Sequence, residues 1–352
     1  MIRSAGAWVI ACGCATLCVA MGLRPDLHGS EIRSDQKSER CRADCAVGKE
    51  TVATLSGVDI SSIGSMLVQD SRGRYVVLTS DFRELLTFDS TGKLLASPRP
   101  KHERIVSLFV GPSGAVQAYD SGAGALFTFD GNYRVTGKTE LPHSPALPLA
   151  GGKFLVASQI GTPDLVGVPL HVMSKDGSIV KSFGADGSPF HSAETLKNSR
   201  SVCLNPDGSI WSIASGGRIL EHWEPSTGRR LGQVAVKSTW FRESTTPAKE
   251  TQVAKPIVLT IWADADLVWI LYRAPDPNWT PRAISEKEHA TAQIANRRSD
   301  WVLEAVRTDT GGVVAMKRFD RMLRRWDGSF AIASEATSPG RVELWKPIVV
   351  KK

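Results

Sequence analysis

A Gly- or Asp-bearing turn followed by an apolar strand recurs six times in this chain, and nothing else in it restricts the fold as closely. The copies are SRGRYVVLTS (71–80), PSGAVQAYDS (112–121), AGGKFLVAS (150–158), PDGSIWSIAS (206–215), ADADLVWILY (263–272) and WDGSFAIAS (326–334). A further strand follows each, from ELLTFD (84–89) through WVLEAVR (301–307) to RVELW (341–345). In five of the six, a hairpin turn and one more strand complete the unit, as in DSTGKLLAS (89–97), DGNYRVTGK (130–138) and PSTGRRLGQ (225–233). Gly beside Asp, Ser, Thr or Asn suits these turns because tight hairpins need residues that tolerate positive φ. Ahead of each unit lies a short apolar strand, for example IVSLFV (105–110), RSVCLN (200–205) or PIVLTIW (256–262).

Six units of four strands, spaced by about 40 to 60 residues from turn to turn, predict an all-β chain. One four-stranded sheet cannot bury both of its faces, so repeated sheets pack radially about an axis as a β-propeller. The expectation is a six-bladed β-propeller of four-stranded antiparallel blades over residues 50–352. Gly 31 and Pro 19, spread along the length, agree with a turn-rich β chain. The sixth unit lacks a strong fourth strand. ETVATLSG (50–57) is the expected closer, which would pair the two ends of the chain and remove an exposed edge; PIVVKK at the C-terminus competes for that place.

The strands and turns over roughly residues 50 to 350, with VKSFGADGS (180–188) as a blade ending, resemble a six-bladed propeller of the NHL-repeat-like kind. Only that blade carries the Phe-Gly signature, and blades 3, 4 and 5 are lengthened, so the resemblance implies a fold and no subfamily.

The N-terminus, MIRSAGAWVIACGCATLCVAMGL (1–23), has one cation followed by about twenty uncharged residues. That layout reads as a cleaved export signal, as an uncleaved anchor, or as a lipoprotein signal at Val9-Ile10-Ala11-Cys12. All three place the folded part outside the cytoplasm: periplasmic, secreted, or membrane-anchored facing outward. Residues 24–49 read as a polar spacer. In an oxidising compartment Cys41 and Cys45 can close a local disulfide, leaving Cys203 as a buried thiol in the apolar run SVCL. The net charge of +7 is mild. The cationic cluster KRFDRMLRR (317–325) alternates with apolar residues as in a solvated strand, and no nucleic-acid partner is expected.

In a four-stranded blade, the links from strand two to three and from strand four to the next blade share one face. The tight turns share the other. The long segments of this sequence all fall on the first face: QIGTPDLVGVP (159–169), GADGSPFHSAETLKNS (184–199), STWFRESTTPAKETQVAK (238–255) and a blade 5 insertion over 274–299. The Thr280-Pro281 start and Ala/Glu/Lys-rich body of the insertion predict a helix. Loops on a rigid scaffold are where binding is built.

His102, His143 and His191 each follow a fourth strand and precede the next blade, which puts all three on that elaborated face. Three imidazoles and a water suit a zinc ion, and the peptide-amidating lyases among NHL-like propellers are similar in binding zinc through histidines. The competing reading is of loop or pocket-lining histidines without metal. Calcium-dependent lactonases, also six-bladed, use Glu, Asn and Asp at the axis; Glu103, Asn198 and Glu243 lie in suitable links. Trp240, Phe241 and Arg242 have the composition of a binding hot spot, and Trp279 of the insertion can share it. The opposing reading packs Trp240 beneath its own loop. Trp211, Trp223, Trp262, Trp269, Trp301 and Trp345 fall in strands and read as inter-blade core. The chain has no GxSxG elbow and no phosphate-cradling glycine loop. The expected function is therefore binding of a protein, peptide or glycan. The alternative is a hydrolase or lyase with zinc or calcium at the central mouth.

Overall fold

Strands β1 to β24 are described in a computed structural model, which covers residues 45–351 apart from 59–62, 97–101, 103, 112, 188–190, 192–193, 247–254, 278–298, 321–322, 327–328 and 334–339. The first strand, β1 (Cys45–Ser56), belongs to the last blade. Blade 1 is β2 (Ile63–Gln69), β3 (Tyr75–Thr79), β4 (Leu85–Phe88) and β5 (Leu94–Ala96). Blade 2 is β6 (Ile105–Val110), β7 (Val116–Asp120), β8 (Ala125–Phe129) and β9 (Val135–Glu140). Blade 3 is β10 (Leu147–Pro148), β11 (Phe154–Val156), β12 (Leu170–Met173) and β13 (Ile179–Phe183). Blade 4, which follows a one-turn helix α1 (Thr195–Asn198), is β14 (Arg200–Leu204), β15 (Ile210–Ala214), β16 (Ile219–Glu224) and β17 (Arg229–Ala235). Blade 5 is β18 (Ile257–Asp264), β19 (Leu267–Pro275), β20 (Ser299–Arg307) and β21 (Val313–Phe319). The last sheet joins β22 (Arg324–Trp326), β23 (Ser329–Ala333), β24 (Arg341–Lys351) and β1. All six sheets are four-stranded, and every strand pair in them is antiparallel. The architecture is a β-propeller of such blades.

The turns show why these segments become hairpins. In several of them an aspartate carboxylate accepts backbone N–H groups that the turn leaves free. Asp70 takes those of Arg72 and Arg74, and Asp89 those of Thr91 and Lys93, all at 2.9–3.0 Å. Asp130, Asp176 and Asp207 do the same in blades 2, 3 and 4. A side chain that satisfies turn amides fixes the register of the strands on either side. Glycine follows where the chain needs positive φ. At Gly92 and Gly311 it also admits a neighbouring blade, because a Cβ there would lie 2.1 Å from Thr54 O and 1.9 Å from Ala235 O.

Apolar side chains weld each sheet to the next. Leu55, Val342 and Leu344 of the last blade pack with Leu67, Tyr75, Val77 and Phe88 of blade 1. Blades 1 and 2 share Val76, Leu78, Ile105 and Phe129, blades 2 and 3 share Phe109 and Phe154, and blades 3 and 4 share Leu170, Phe183 and Trp223. One large cluster joins blade 4, blade 5 and the last blade through Trp211, Trp262, Trp269, Trp301 and Trp345. Trp211, Trp223, Trp262, Trp269, Trp301 and Trp345 are thus core, as expected, with Trp262 and Trp269 stacked at 5.9 Å.

The closing strand pairs with the chain's other end along its whole length, from Cys45 opposite Lys351 to Ser56 opposite Arg341. It begins at Cys45, five residues before the expected boundary at 50. The added residues are in the ladder because β24 runs on to Lys351 and offers them partners, and Cys45 and Val47 are buried. Residues 347–351 of PIVVKK are therefore part of β24, not a rival closer. Cys45 is disulfide-bonded, and its partner lies outside the described residues; Cys203 is buried, as expected. The blade 5 insertion is shorter than expected, because β19 continues to Pro275 and β20 starts at Ser299. The helix expected within it falls in 278–298, outside the described residues, as do the N-terminal segment and most of the spacer. Among the described residues, no helix is long and apolar enough to cross a membrane.

Candidate functional site

The three link histidines are not brought together. His102 is 6% exposed and turned inward. Its backbone N–H donates to Arg83 O at 3.0 Å, and its Nδ1 lies 3.5 Å from Asp120 Oδ2. The rings of Phe127 and Phe129 stand edge-on to it, at 4.9 and 5.9 Å. Asp120 Oδ1 meanwhile accepts the N–H groups of Arg104, Gly122 and Ala123 at 2.9–3.2 Å. Burial pushes the His102 pKa down, against the pull of Asp120. This histidine is a strut between the blade 1 turn and blade 2.

His143 is half-buried, and the charge it can carry acts on His171 of β12. His191 is exposed. Among the described residues, no three His, Cys, Asp or Glu side chains are grouped so as to hold a metal ion. The expected zinc set of His102, His143 and His191 gains no support from that grouping. Their links share a face, but His102 is drawn down to a carboxylate while His191 stays at the surface. The calcium alternative fares no better: Asn198 caps within α1, donating to Glu194 O at 3.2 Å, Glu243 is exposed, and Glu103 lies outside the described residues.

The link from blade 4 to blade 5 is built differently from a surface hot spot. Phe241 is 1% exposed and cannot meet a ligand. Trp240 is half-buried; its ring stands edge-on to Tyr272 at 5.2 Å and to Phe241 at 5.8 Å. Its indole N–H donates to Glu304 Oε1 at 2.7 Å, and Ser238 Oγ donates to the same oxygen at 2.8 Å. Only Arg242 of the predicted trio is exposed; Trp279 lies outside the described residues. The pair Trp240-Phe241 is a plug that seats the link, because its apolar area is worth more against Tyr272 than in water.

The rest of the link is braced from below. Ser244 N–H donates to Gly216 O at 3.0 Å, and Leu196 N–H of α1 donates to Thr245 O at 3.1 Å. A Cβ on Gly216 would stand 1.7 Å from Ser244 O, so only glycine admits the link here. Lys255 Nζ reaches back to Thr246 O and Oγ1 at 3.0 and 3.1 Å, tying the two ends of 247–254 together.

Glu304, which organises this region, carries one signal that sequence reading passed over. It is an acid in the middle of WVLEAVR, a strand otherwise apolar to Val306, and it is 1% exposed. Burial raises its pKa, while the hydroxyl of Ser238, the indole of Trp240, the hydroxyl of Tyr272 and the charge of Arg218 oppose the shift. Blade 4 also holds a buried carboxylate, Glu221, 3.0 Å from Arg200 Nη1 and 3.7 Å from Arg230 Nη1. A buried charge must be paired or neutralised, and Glu221 is paired.

No family model matches the chain, and no curated protein sequence matches it. Solved structures similar to it in fold include a member of the DUF4221 family from Bacteroides vulgatus. That likeness has TM-score 0.58 and 9% identity, and spans 88% of this chain and 99% of the other. A proposed exported protein from Bacteroides fragilis gives TM-score 0.56 at 10% identity, over 87% of this chain and 95% of its own. Virginiamycin B lyase from Staphylococcus aureus gives TM-score 0.45 at 10% identity, over 87% and 100%. At these identities the first two likenesses show the propeller fold alone.

Proposed function

We propose that this chain is an exported, six-bladed propeller of NHL-like kind that binds a protein, peptide or glycan through its loop-bearing face. One observation carries the reading. The link between β17 and β18 on that face is seated by Trp240, Phe241 and Glu304 and tied at Ser244 and Thr246, and it holds Arg242 and Glu243 out to solvent. Surface loops usually cost entropy on binding, and a braced loop avoids much of that cost. Six sheets welded in sequence, with the last packed on the first, support the six-bladed ring. The hydropathy of residues 1–23 supports export, as does the designation of the Bacteroides fragilis protein.

The test is a screen of the full chain against glycan and peptide arrays and against extracytoplasmic proteins of its source. Each hit is repeated with Arg242→Ala/Glu243→Ala and with Lys175→Ala, a control in the exposed turn between β12 and β13. Binding that falls tenfold or more in the double variant and is unchanged in the control is the expected result. Binding that survives the double variant and fails in the control would overturn the reading.

A further inference from the structure

We propose that Glu304 is a proton-operated latch: its carboxyl fastens the start of the blade 4 to blade 5 link onto blade 5, and loss of its proton loosens the link. The inference concerns how the link is held, and it stands whether or not the face binds a ligand.

The carboxyl is reached by four residues from three elements. Ser238 and Trp240 of the link donate to Oε1, at 2.8 and 2.7 Å. Tyr272, on the neighbouring strand β19, brings its hydroxyl to the same carboxyl. Arg218, at the turn before β16, is the cation in range. Its guanidinium, however, is turned to the link backbone, donating to Val236 O at 2.8 and 3.2 Å and to Ser238 O at 3.3 Å. Oε2 is buried without a well-formed hydrogen bond of its own. A carboxylate here would carry a buried charge with no guanidinium forked onto it, an unfavourable arrangement in a low-dielectric site. The neutral acid keeps both link donors on Oε1 and places no charge in the core.

Of the titratable groups facing Glu304, Tyr272 has its pKa pushed well above the phenol range by burial and by Glu304 itself, so it stays neutral. Glu304 is then the group that changes state. Burial raises its pKa in the seated link, whereas a released, hydrated link returns it to the ordinary carboxyl value. Between those two values the seated form holds a proton that the released form gives to water. The seated-to-released ratio therefore falls as pH rises through that window, by up to about tenfold per pH unit, and is level above it.

Hydrogen exchange of the full chain reads this directly. The amides of Lys237 (to Gly311 O, 2.8 Å) and Ser244 (to Gly216 O, 3.0 Å) are closed only while the link is seated. After correction for intrinsic exchange, their protection should fall by up to about tenfold per unit as pH rises from about 4.5, then level off. In Glu304→Gln, whose carbonyl still accepts both donors, protection should be independent of pH and at least as strong as in the native chain at neutral pH. A flat profile in the native chain, or the same slope in Glu304→Gln, would overturn the latch.

Discussion

His102 and Trp240 sit in links that a strand-counting argument places on the elaborated face, and each is turned inward by a single buried carboxyl, Asp120 or Glu304. Chain order gives the face of a link residue but not its depth, since a link has no periodicity to show which side chains point down. The acid in WVLEAVR was visible, but its partner Trp240 lies 64 positions earlier and no local pattern connects them. Removing that partner has a defined cost. Trp240→Phe keeps the ring packing on Tyr272 and loses one hydrogen bond to a buried acid, so it should destabilise the fold by about 1–3 kcal/mol in chemical denaturation. The buried histidines act in the acid range. His102 and His171 have pKa values pushed down by burial, so the unfolded chain takes up protons that the folded one refuses. Their contribution is fully present above about pH 6.5 and is lost as pH falls below it, by at most about 1.4 kcal/mol per unit for each. Urea unfolding at pH 7.5 and 5.5 should show this loss, and His171→Gln should reduce it; an equal loss in the variant would contradict the assignment.

At the scale of the element, the hairpins were the most legible part of the sequence, because their Asp and Gly residues are required by local chemistry alone. The structure adds that some of these glycines serve contacts between blades. Gly311 holds φ +67 and abuts Ala235 O, so Gly311→Ala meets both backbone strain and a clash with main chain. It should cost about 2–4 kcal/mol, against little for Gly232→Ala, which has open space around it. The turn aspartates are held below the usual carboxylate range: in Asp89 by the Thr91 hydroxyl and the Lys93 amide, in Asp130 by the amides of Arg134 and Asn132, in Asp176 by the Ser174 hydroxyl and Ser178 amide. Their share of stability is present above about pH 4 and lost as pH falls through the lower folded values. Asp130→Asn should flatten that acid limb slightly in a pH series of thermal melts.

At the scale of the whole molecule, the repeat dictates separate sheets, and the ladder from Cys45–Lys351 to Ser56–Arg341 ties the chain ends into the last of them. Because β1 also packs Leu55 into the cluster shared with blade 1, a chain beginning at residue 57 should lose cooperative unfolding. Substituting Lys49, whose exposed ion pair with Glu343 spans 2.7 Å, should change stability by less than about 1 kcal/mol. What the repeat leaves open is function: it sorts long links from tight turns but does not say what the links recognise. A footprint shows whether binding is confined to the face that bears the long links. Once a ligand has been found, hydrogen exchange of the bound and free chain should show protection gained in 141–146, 157–169 and 236–246. Protection gained instead in the tight turns at 70–74, 89–93, 130–134 and 174–178 would place the binding face on the opposite side of the propeller.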